Sequence, residues 1–399
     1  LAFAQKKGVP FLIESTCNQV NQEGGYTGQT PAQFAARLET YLDQGSSPVP
    51  EVVLGGDHLG PYPWRHLPAE RALQKAHRLV QDYVRAGYRK IHLDASMRCQ
   101  DDPQDQPLPG EISAKRTAAL CQTAERALPA QKDHLLYIVG SEVPAPGGDT
   151  AENGGLQVTP AEEAQRAIQA MRKAFAEKGL LDAWERVAAL VVQPGVEFSA
   201  QEVHAYSPAQ AQPLSRLIET HPRLVYEAHS TDYQTPQALQ NLVRDHFCIL
   251  KVGPELTFAY REAIFALDKI ETILAEYTPG LTPSRVMTAI QMEMKDEPKH
   301  WAGYYTGTDA YLAYARVFSY SDRIRYYWSR PRVEQALRSL MKNVSEISIP
   351  RPLLSQYFPH QYQKVIQGKL SSRPQALIED KIISVIEKYH RAVLGGENQ

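Results

Sequence analysis

The run Leu54-Gly55-Gly56-Asp57-His58-Leu59-Gly60-Pro61 sets a carboxylate and an imidazole side by side at the end of an apolar stretch. Such a pair can move protons or hold a divalent ion. The preceding residues, Glu51–Leu54, are apolar enough to be covered on both faces, as parallel strands are. Two glycines then allow a sharp turn, and Gly60-Pro61 ends the segment. In parallel α/β proteins, ligands bind at the carboxyl ends of the strands. Asp57 and His58 are therefore candidate site residues.

Six other short β-rich runs end in the same way: Pro10–Glu14, Lys90–Leu93, Leu135–Val139, Val187–Gln193, Leu224–Glu227 and Phe247–Val252. Glu14 ends the first and is followed by the amides Asn18 and Gln19, which suit either sugar hydroxyls or a turn-rich surface loop. His92 and Asp94 share one face of their strand, as part of the site or of a polar layer inside the fold. Glu142 is a candidate ligand or base, Gln193 and Glu197 flank a Pro-Gly turn, and His229 stands near Asp232. Lys251 could bind phosphate, or form a Schiff base if burial lowered its pKa. Imidazoles and carboxylates from separate strands suit zinc, manganese, cobalt or nickel. The chemistry would be polarisation of a substrate carbonyl beside a carboxylate base.

Helix-length amphipathic segments alternate with these runs: Pro31–Leu42, Ala69–Ala86, Ala114–Ala127, Pro160–Lys178 and Pro208–Thr220. Leu1–Lys7 reads as a helix that would follow a strand. The simplest completion is an α/β fold of the (β/α)8 TIM-barrel type, its first strand upstream of Leu1 or missing. A doubly wound open sheet competes, weakened by the lack of any GxGxxG after a strand. From about Glu262 the pattern turns wholly helical, so residues 1–261 are expected to form the barrel and 262–399 a helical extension. This extension is expected to pack beside the barrel mouth or to form a subunit interface. Within it, Ser321, Arg323 and Arg325 could clamp a phosphate, or Asp322 could pair with an arginine under aromatic residues. His300-Trp301 and Tyr304-Tyr305 could wall the same mouth, with aromatic core as the default reading.

A net charge of −2 over 399 residues gives no nucleic-acid or anionic-membrane surface. Four scattered cysteines without a CxxC pair fit a reducing cytoplasm rather than a disulfide framework. No apolar run approaches the length of a membrane span.

The runs IESTCNQVNQEGGYTG, LGGDHLGPYPW, KIHLDASMRCQDDP, GSEVPAPGG, VVQPGVEF, EAHSTDYQ, LKVGPELTFAYREA and YSDRIRYYW resemble the Z-type subunit of tagatose-1,6-bisphosphate aldolase. That family looks distantly like class II aldolases, metal-dependent barrels that cleave ketose bisphosphates. The resemblance implies that Asp57 handles a C4-hydroxyl proton and that His58 and His229 bind the metal. The remaining ligand, a histidine before Gly-Val, is absent, since Pro194 precedes Gly195-Val196. Gln193, Glu197 or Glu142 would have to substitute for it. Asp94 and Glu14 would assist, and Lys251, Arg323 and Arg325 would hold phosphate. Z-type subunits are generally described as non-catalytic partners of a separate aldolase chain. Some relatives are described as epimerases that invert C4 between fructose 6-phosphate and tagatose 6-phosphate. The resemblance thus implies a metal-assisted enzyme on ketohexose phosphates, with the partner-subunit role as the alternative. A sugar kinase is disfavoured, because no P-loop or glycine-rich nucleotide motif is present.

Overall fold

The computed structural model describes residues 2–43, 51–128, 135–140 and 156–394. Each of the seven β-rich runs forms a strand: β1 (Phe11–Thr16), β2 (Val52–Leu59), β3 (Lys90–Leu93), β4 (Leu136–Val139), β5 (Val187–Val191), β8 (Val225–Ala228) and β9 (Phe247–Leu250). Between β5 and β8, a two-residue antiparallel pair joins β6 (Glu197–Phe198) to β7 (Val203–His204). The main sheet runs in the order β1-β2-β3-β4-β5-β8-β9, every pair parallel. It curls until Lys251, just after β9, pairs with Glu14 on β1. Among the described residues no strand pairs β9 to β1, so the structure shows a curled seven-stranded parallel sheet in place of the expected closed eight-stranded barrel.

Helices α1 (Ala2–Lys7), α2 (Pro31–Asp43), α3 (Ala69–Arg85), α4 (Gly110–Ala127), α5 (Ala161–Glu177), α6 (Leu181–Trp184), α7 (Pro208–Ile218), α8 (Pro236–Arg244) and α9 (Pro254–Ala275) alternate with the strands. The third shows the rule by which sequence places them. Its buried residues Ala72, Ala76, Leu79, Val80, Tyr83 and Val84 recur at helical spacing and form one face. From that face the Tyr83 hydroxyl donates to the Val20 carbonyl at 2.9 Å, pinning the loop after β1.

The extension carries α10 (Val286–Asp296), α11 (Asp309–Phe318), α12 (Pro331–Glu346), α13 (Arg351–Tyr357), α14 (Pro359–Ile366) and α15 (Pro374–Val393). Two large apolar clusters result, one under the sheet and one among the later helices, with a small third formed by Ile138, Ala189 and Val191 on the strands. Two helices feed both large clusters. In α9, Ala259 faces the first and Ala263 the second, so one continuous helix crosses position 261. In α15, Leu377 and Ile378 pack in the second, while Val385, Tyr389 and Ala392 return to the first. The four cysteines are unpaired. No helix among the described residues is long and apolar enough to cross a membrane.

Candidate active site

The glycines after Leu54 do not make the expected turn. The second strand continues through them to Leu59, because each fills a place with no room for a Cβ. On Gly55 a Cβ would meet the Glu14 side chain, and on Gly56 it would meet Leu59 and Tyr83. The irregularity comes two residues later. His58 adopts the left-handed conformation (φ 50°), and the β2–β3 register shifts between Gly56 and Leu59. In a regular strand Asp57 and His58 would point to opposite faces. The bulge turns both inward.

Three imidazoles meet there. The His58 ring centroid lies 4.9 Å from those of His92 and His229, which are 5.5 Å apart. One nitrogen of each ring is engaged by an outer oxygen. His58 Nδ1 donates to Asp94 Oδ2 at 2.8 Å, His92 Nε2 to the Gly140 carbonyl at 3.1 Å, and His229 Nε2 to Glu227 Oε1 at 2.9 Å. Such contacts fix ring orientation and leave the opposite nitrogen for the site. Asp57 Oδ1 lies 2.8 Å from His92 Nδ1 and 3.0 Å from Lys251 Nζ.

Burial opposes charge on His58, but the Asp57 and Asp94 carboxylates outweigh it and lift the ring to about 9. Burial likewise opposes charge on Asp57 and Asp94, yet the facing imidazoles hold both well below the usual carboxylate range. Burial lowers His229, and its bond to Glu227 only partly offsets this. Because the folded pKa of His58 exceeds the unfolded value, its contribution is complete below about pH 6.5 and vanishes as pH rises through about 9. The shift is worth about 3 kcal/mol. The depressed aspartates contribute above about pH 4 and lose that contribution as pH falls. Calorimetry of the metal-free protein should therefore show stability declining from pH 7 to 10. His58→Gln should flatten that limb, and an alkaline decline equal to wild type would refute the assignment.

Beneath this cluster lies a buried ion network. Lys90 Nζ sits 2.6 Å from Glu14 Oε1 and 2.5 Å from Glu227 Oε2. Lys251 pairs with Glu14 and Asp57. Burial pushes the Lys251 ammonium below the ordinary lysine range, and the two carboxylates against it oppose that shift.

The cluster opens into a cavity of about 480 Å³, a size that holds small-molecule substrates. Asp57, His58, His229 and Lys251 line its floor, with Asn18 and Gln19 from the loop after β1. Lys299, His300, Arg323 and Arg325 line it from the extension. The Arg323 guanidinium lies 3.3 Å from the centre of the Tyr304 ring and donates to the His300 carbonyl. Arg325 donates to the Ser321 carbonyl and, at 3.0 Å, to the Tyr326 hydroxyl. Just before them Asp322 takes a left-handed turn (φ 43°) and pairs with Arg261 of α9 at 2.8 Å. The expected pairing of Asp322 with an arginine is thus present, with Arg261 as the partner, and Arg323 and Arg325 line the cavity. A wider groove of about 840 Å³ between α10 and α12 is lined by Thr282, Ser284, Arg285, Arg332 and Lys342, among others. None of the clusters of metal-ligating side chains among the described residues lies in it, whereas Asp57, His58 and His229 line the smaller cavity.

Other expected site residues fall elsewhere. Ser321 is buried, its hydroxyl shared with Ser319 and Tyr305, and it does not line the cavity. Asp94 stands behind His58 rather than at the cavity surface. Glu14 lines the cavity with its carboxylate committed to Lys90 and Lys251. Glu142 lies outside the described residues.

Residues 1–394 match the family described as D-tagatose-1,6-bisphosphate aldolase subunit GatZ/KbaZ-like. The chain belongs to this family. It is also similar to a crystal structure described as a probable tagatose 6 phosphate kinase from Sinorhizobium meliloti 1021. The two are 42% identical, the match covers 98% of this chain and 95% of that one, and the TM-score is 0.88. A fructose-bisphosphate aldolase from Campylobacter jejuni matches over 85% of this chain and 82% of its own, at 9% identity and TM-score 0.42. The fructuronate-tagaturonate epimerase UxaE from Cohnella laeviribosi matches over 98% and 78%, at 12% identity and TM-score 0.40. Both overlaps are too loose to carry an argument.

In this GatZ/KbaZ-like chain the residues fit a divalent ion. Asp57, His58, His92 and His229 each offer one donor atom, all within 4.8 Å of one another. Three imidazole nitrogens, with the Asp57 carboxylate beside them, suit zinc, manganese, cobalt or nickel. The third imidazole is His92, which sequence reasoning placed inside the fold without giving it a ligand role. Two of the expected substitutes, Gln193 and Glu197, are engaged in their own loop. The Gln193 side-chain oxygen accepts from the Gly195 and Val196 amides at 2.8 and 3.0 Å, and Glu197 accepts from Phe198 at 2.9 Å. Lys90 and Glu227 were also missed as site residues, although strand alternation puts Lys90 on the same face as His92.

Proposed function

We propose that this chain is a sugar-phosphate 4-epimerase, interconverting fructose 6-phosphate and tagatose 6-phosphate by breaking and re-forming the C3–C4 bond. The carrying observation is one cavity with an acid–imidazole cluster at its floor and cationic residues at its rim. On this reading the curled sheet is a (β/α)8-type barrel over 1–261, and 262–399 is an extension supplying the rim. The phosphorylated substrates are charged and retained inside cells, so the reaction is read as cytoplasmic.

The rim cations Arg323, Arg325 and Lys299 hold the C6 phosphate. Asp57 accepts the C4-hydroxyl proton, and the C3–C4 electron pair passes into the C2–C3 enediolate of dihydroxyacetone. A divalent ion held by His58, His92 and His229 would supply Lewis-acid polarisation of the C2 carbonyl. With its phosphate still anchored, the glyceraldehyde 3-phosphate fragment turns about C4–C5 and presents its other face. C3 then attacks that face, and Asp57 returns the proton to the C4 oxygen with inverted configuration. Enclosure keeps both fragments together between the two steps.

The test is the purified chain alone with fructose 6-phosphate, before and after chelation and with each metal restored. Formation of tagatose 6-phosphate supports the epimerase, and inertness under every metal refutes it. The family description as an aldolase subunit favours a second reading, a non-catalytic partner of a class II tagatose-bisphosphate aldolase. An inert chain that raises the activity of an aldolase chain would establish that role. ATP-dependent consumption of the sugar phosphate would instead indicate a kinase.

Arg323→Met should raise KM for fructose 6-phosphate roughly tenfold to a hundredfold, the worth of charge-assisted bonds to phosphate. Steady-state kinetics should find kcat little changed. A fall in kcat at constant KM would remove Arg323 from the phosphate site.

A further inference from the structure

The loop that follows β8 holds a backbone conformation that its own residues resist. Ser230 and Tyr233 both sit at positive φ, 52° and 64°, where an L side chain crowds its own backbone. Such conformations persist when the surroundings over-determine them. Asp232 accepts the Gly253 and Glu255 amides and Tyr233 donates to the Tyr320 carbonyl, and a further part of the surroundings comes from the far end of the chain. On α15 the hydroxyl of Tyr389, itself 9% exposed, donates to the fully buried Thr231 carbonyl at 2.7 Å. One residue earlier, Lys388 Nζ pairs with Glu255 Oε1 at 2.5 Å, and the other oxygen of Glu255 accepts the Tyr233 amide at 2.7 Å. Thr231 in turn donates through its hydroxyl to the Lys251 carbonyl at 2.7 Å. His229 lies two residues before Thr231, and Lys251 lines the same cavity. A single helical turn of α15 therefore reaches both.

We propose that α15 is a clasp on this loop, with Tyr389 and Lys388 as positioning residues that hold His229 and Lys251 in their places at the site. The importance of that placement rests on the reading of His229 as a ligand in the proposed enzyme. The clasp itself is a property of the metal-free chain. Its elements are far apart in sequence: the strand ends present the reacting groups, and Tyr389, 158 residues after Thr231, sets the angle of one of them.

The experiment uses the full chain carrying Tyr389→Phe, which removes one hydroxyl, and separately Lys388→Met. Amide hydrogen exchange of residues 228–234 in the metal-free protein should quicken about tenfold in Tyr389→Phe and less in Lys388→Met, with β3 and α4 unchanged. Cobalt should bind Tyr389→Phe about ten times more weakly, within the range seen when orienting contacts are lost, and its visible bands should shift. Thermal midpoints near wild type would separate these effects from general loosening. Unchanged exchange in both variants would overturn the clasp. If wild type takes up no cobalt, the ligand reading fails and exchange alone decides the clasp. If Tyr389→Phe does not fold, Lys388→Met carries the same two readouts.

Discussion

Asp57→Asn should slow the interconversion of fructose 6-phosphate and tagatose 6-phosphate by about 10²–10⁴-fold at saturating metal, the usual worth of a general base. Asparagine keeps the shape of the side chain and removes both its charge and its ability to take a proton. The charge matters as much as the proton. Asp57 stands 2.8 Å from His92, 3.0 Å from Lys251 and 3.8 Å from His58, so it is the anion around which three basic groups gather. Without it, His58 loses the leading cause of its raised pKa and should titrate closer to the ordinary histidine range. Two readouts follow: turnover at C4 by NMR, and the pH dependence of unfolding. Turnover within about threefold of wild type, far less than a lost base would cost, would remove Asp57 from the proton-transfer role.

Lys90→Met should destabilise the fold by about 3–5 kcal/mol, as expected when one partner of a buried ion pair is removed. Lys90 is 5% exposed, and its ammonium stands between Glu14 and Glu227, at 2.6 and 2.5 Å. Removing it strands a fully buried Glu227 carboxylate that also orients His229. Metal affinity should therefore fall with stability, although Lys90 is outside the proposed donor set. The double variant Lys90→Met/Glu227→Gln should recover part of the lost stability, since it removes one of the stranded charges. Denaturant midpoints for the four proteins of this cycle measure the coupling. A loss below about 1 kcal/mol in the single variant would show that water reaches and screens these carboxylates.

Local rules carried the reading as far as local signals extend. The third strand has the bounds its apolar run predicts, Lys90–Leu93, and each of the other six runs holds a strand. Asp57, His58, His229 and Lys251 were legible because short motifs at strand ends need no knowledge of distant neighbours. The glycines of β2 misled, because glycine serves both a turn and a close approach. Which of these applies at Gly55 depends on Glu14, some forty residues earlier. His92 was placed on an inward face, but its company with His58 and His229 follows from the curl of the sheet. Arg323 and Ser321 show the same limit at shorter range. A single left-handed residue, Asp322, sends one to the cavity and leaves the other in the core. Positive φ at an aspartate is not written in the residue type.

The rim of the cavity is drawn from residues 299–326 and its floor from the strands and their loops. On the proposed reading, admission and turnover are thus encoded in separate stretches of the chain. On that reading, substitutions around Arg323 should alter which phosphorylated sugar is accepted while the groups at the floor keep their neighbours. A lineage built on this plan can change its diet without relearning its chemistry, and grafting the 299–326 segment between relatives is the direct way to exchange one diet for another.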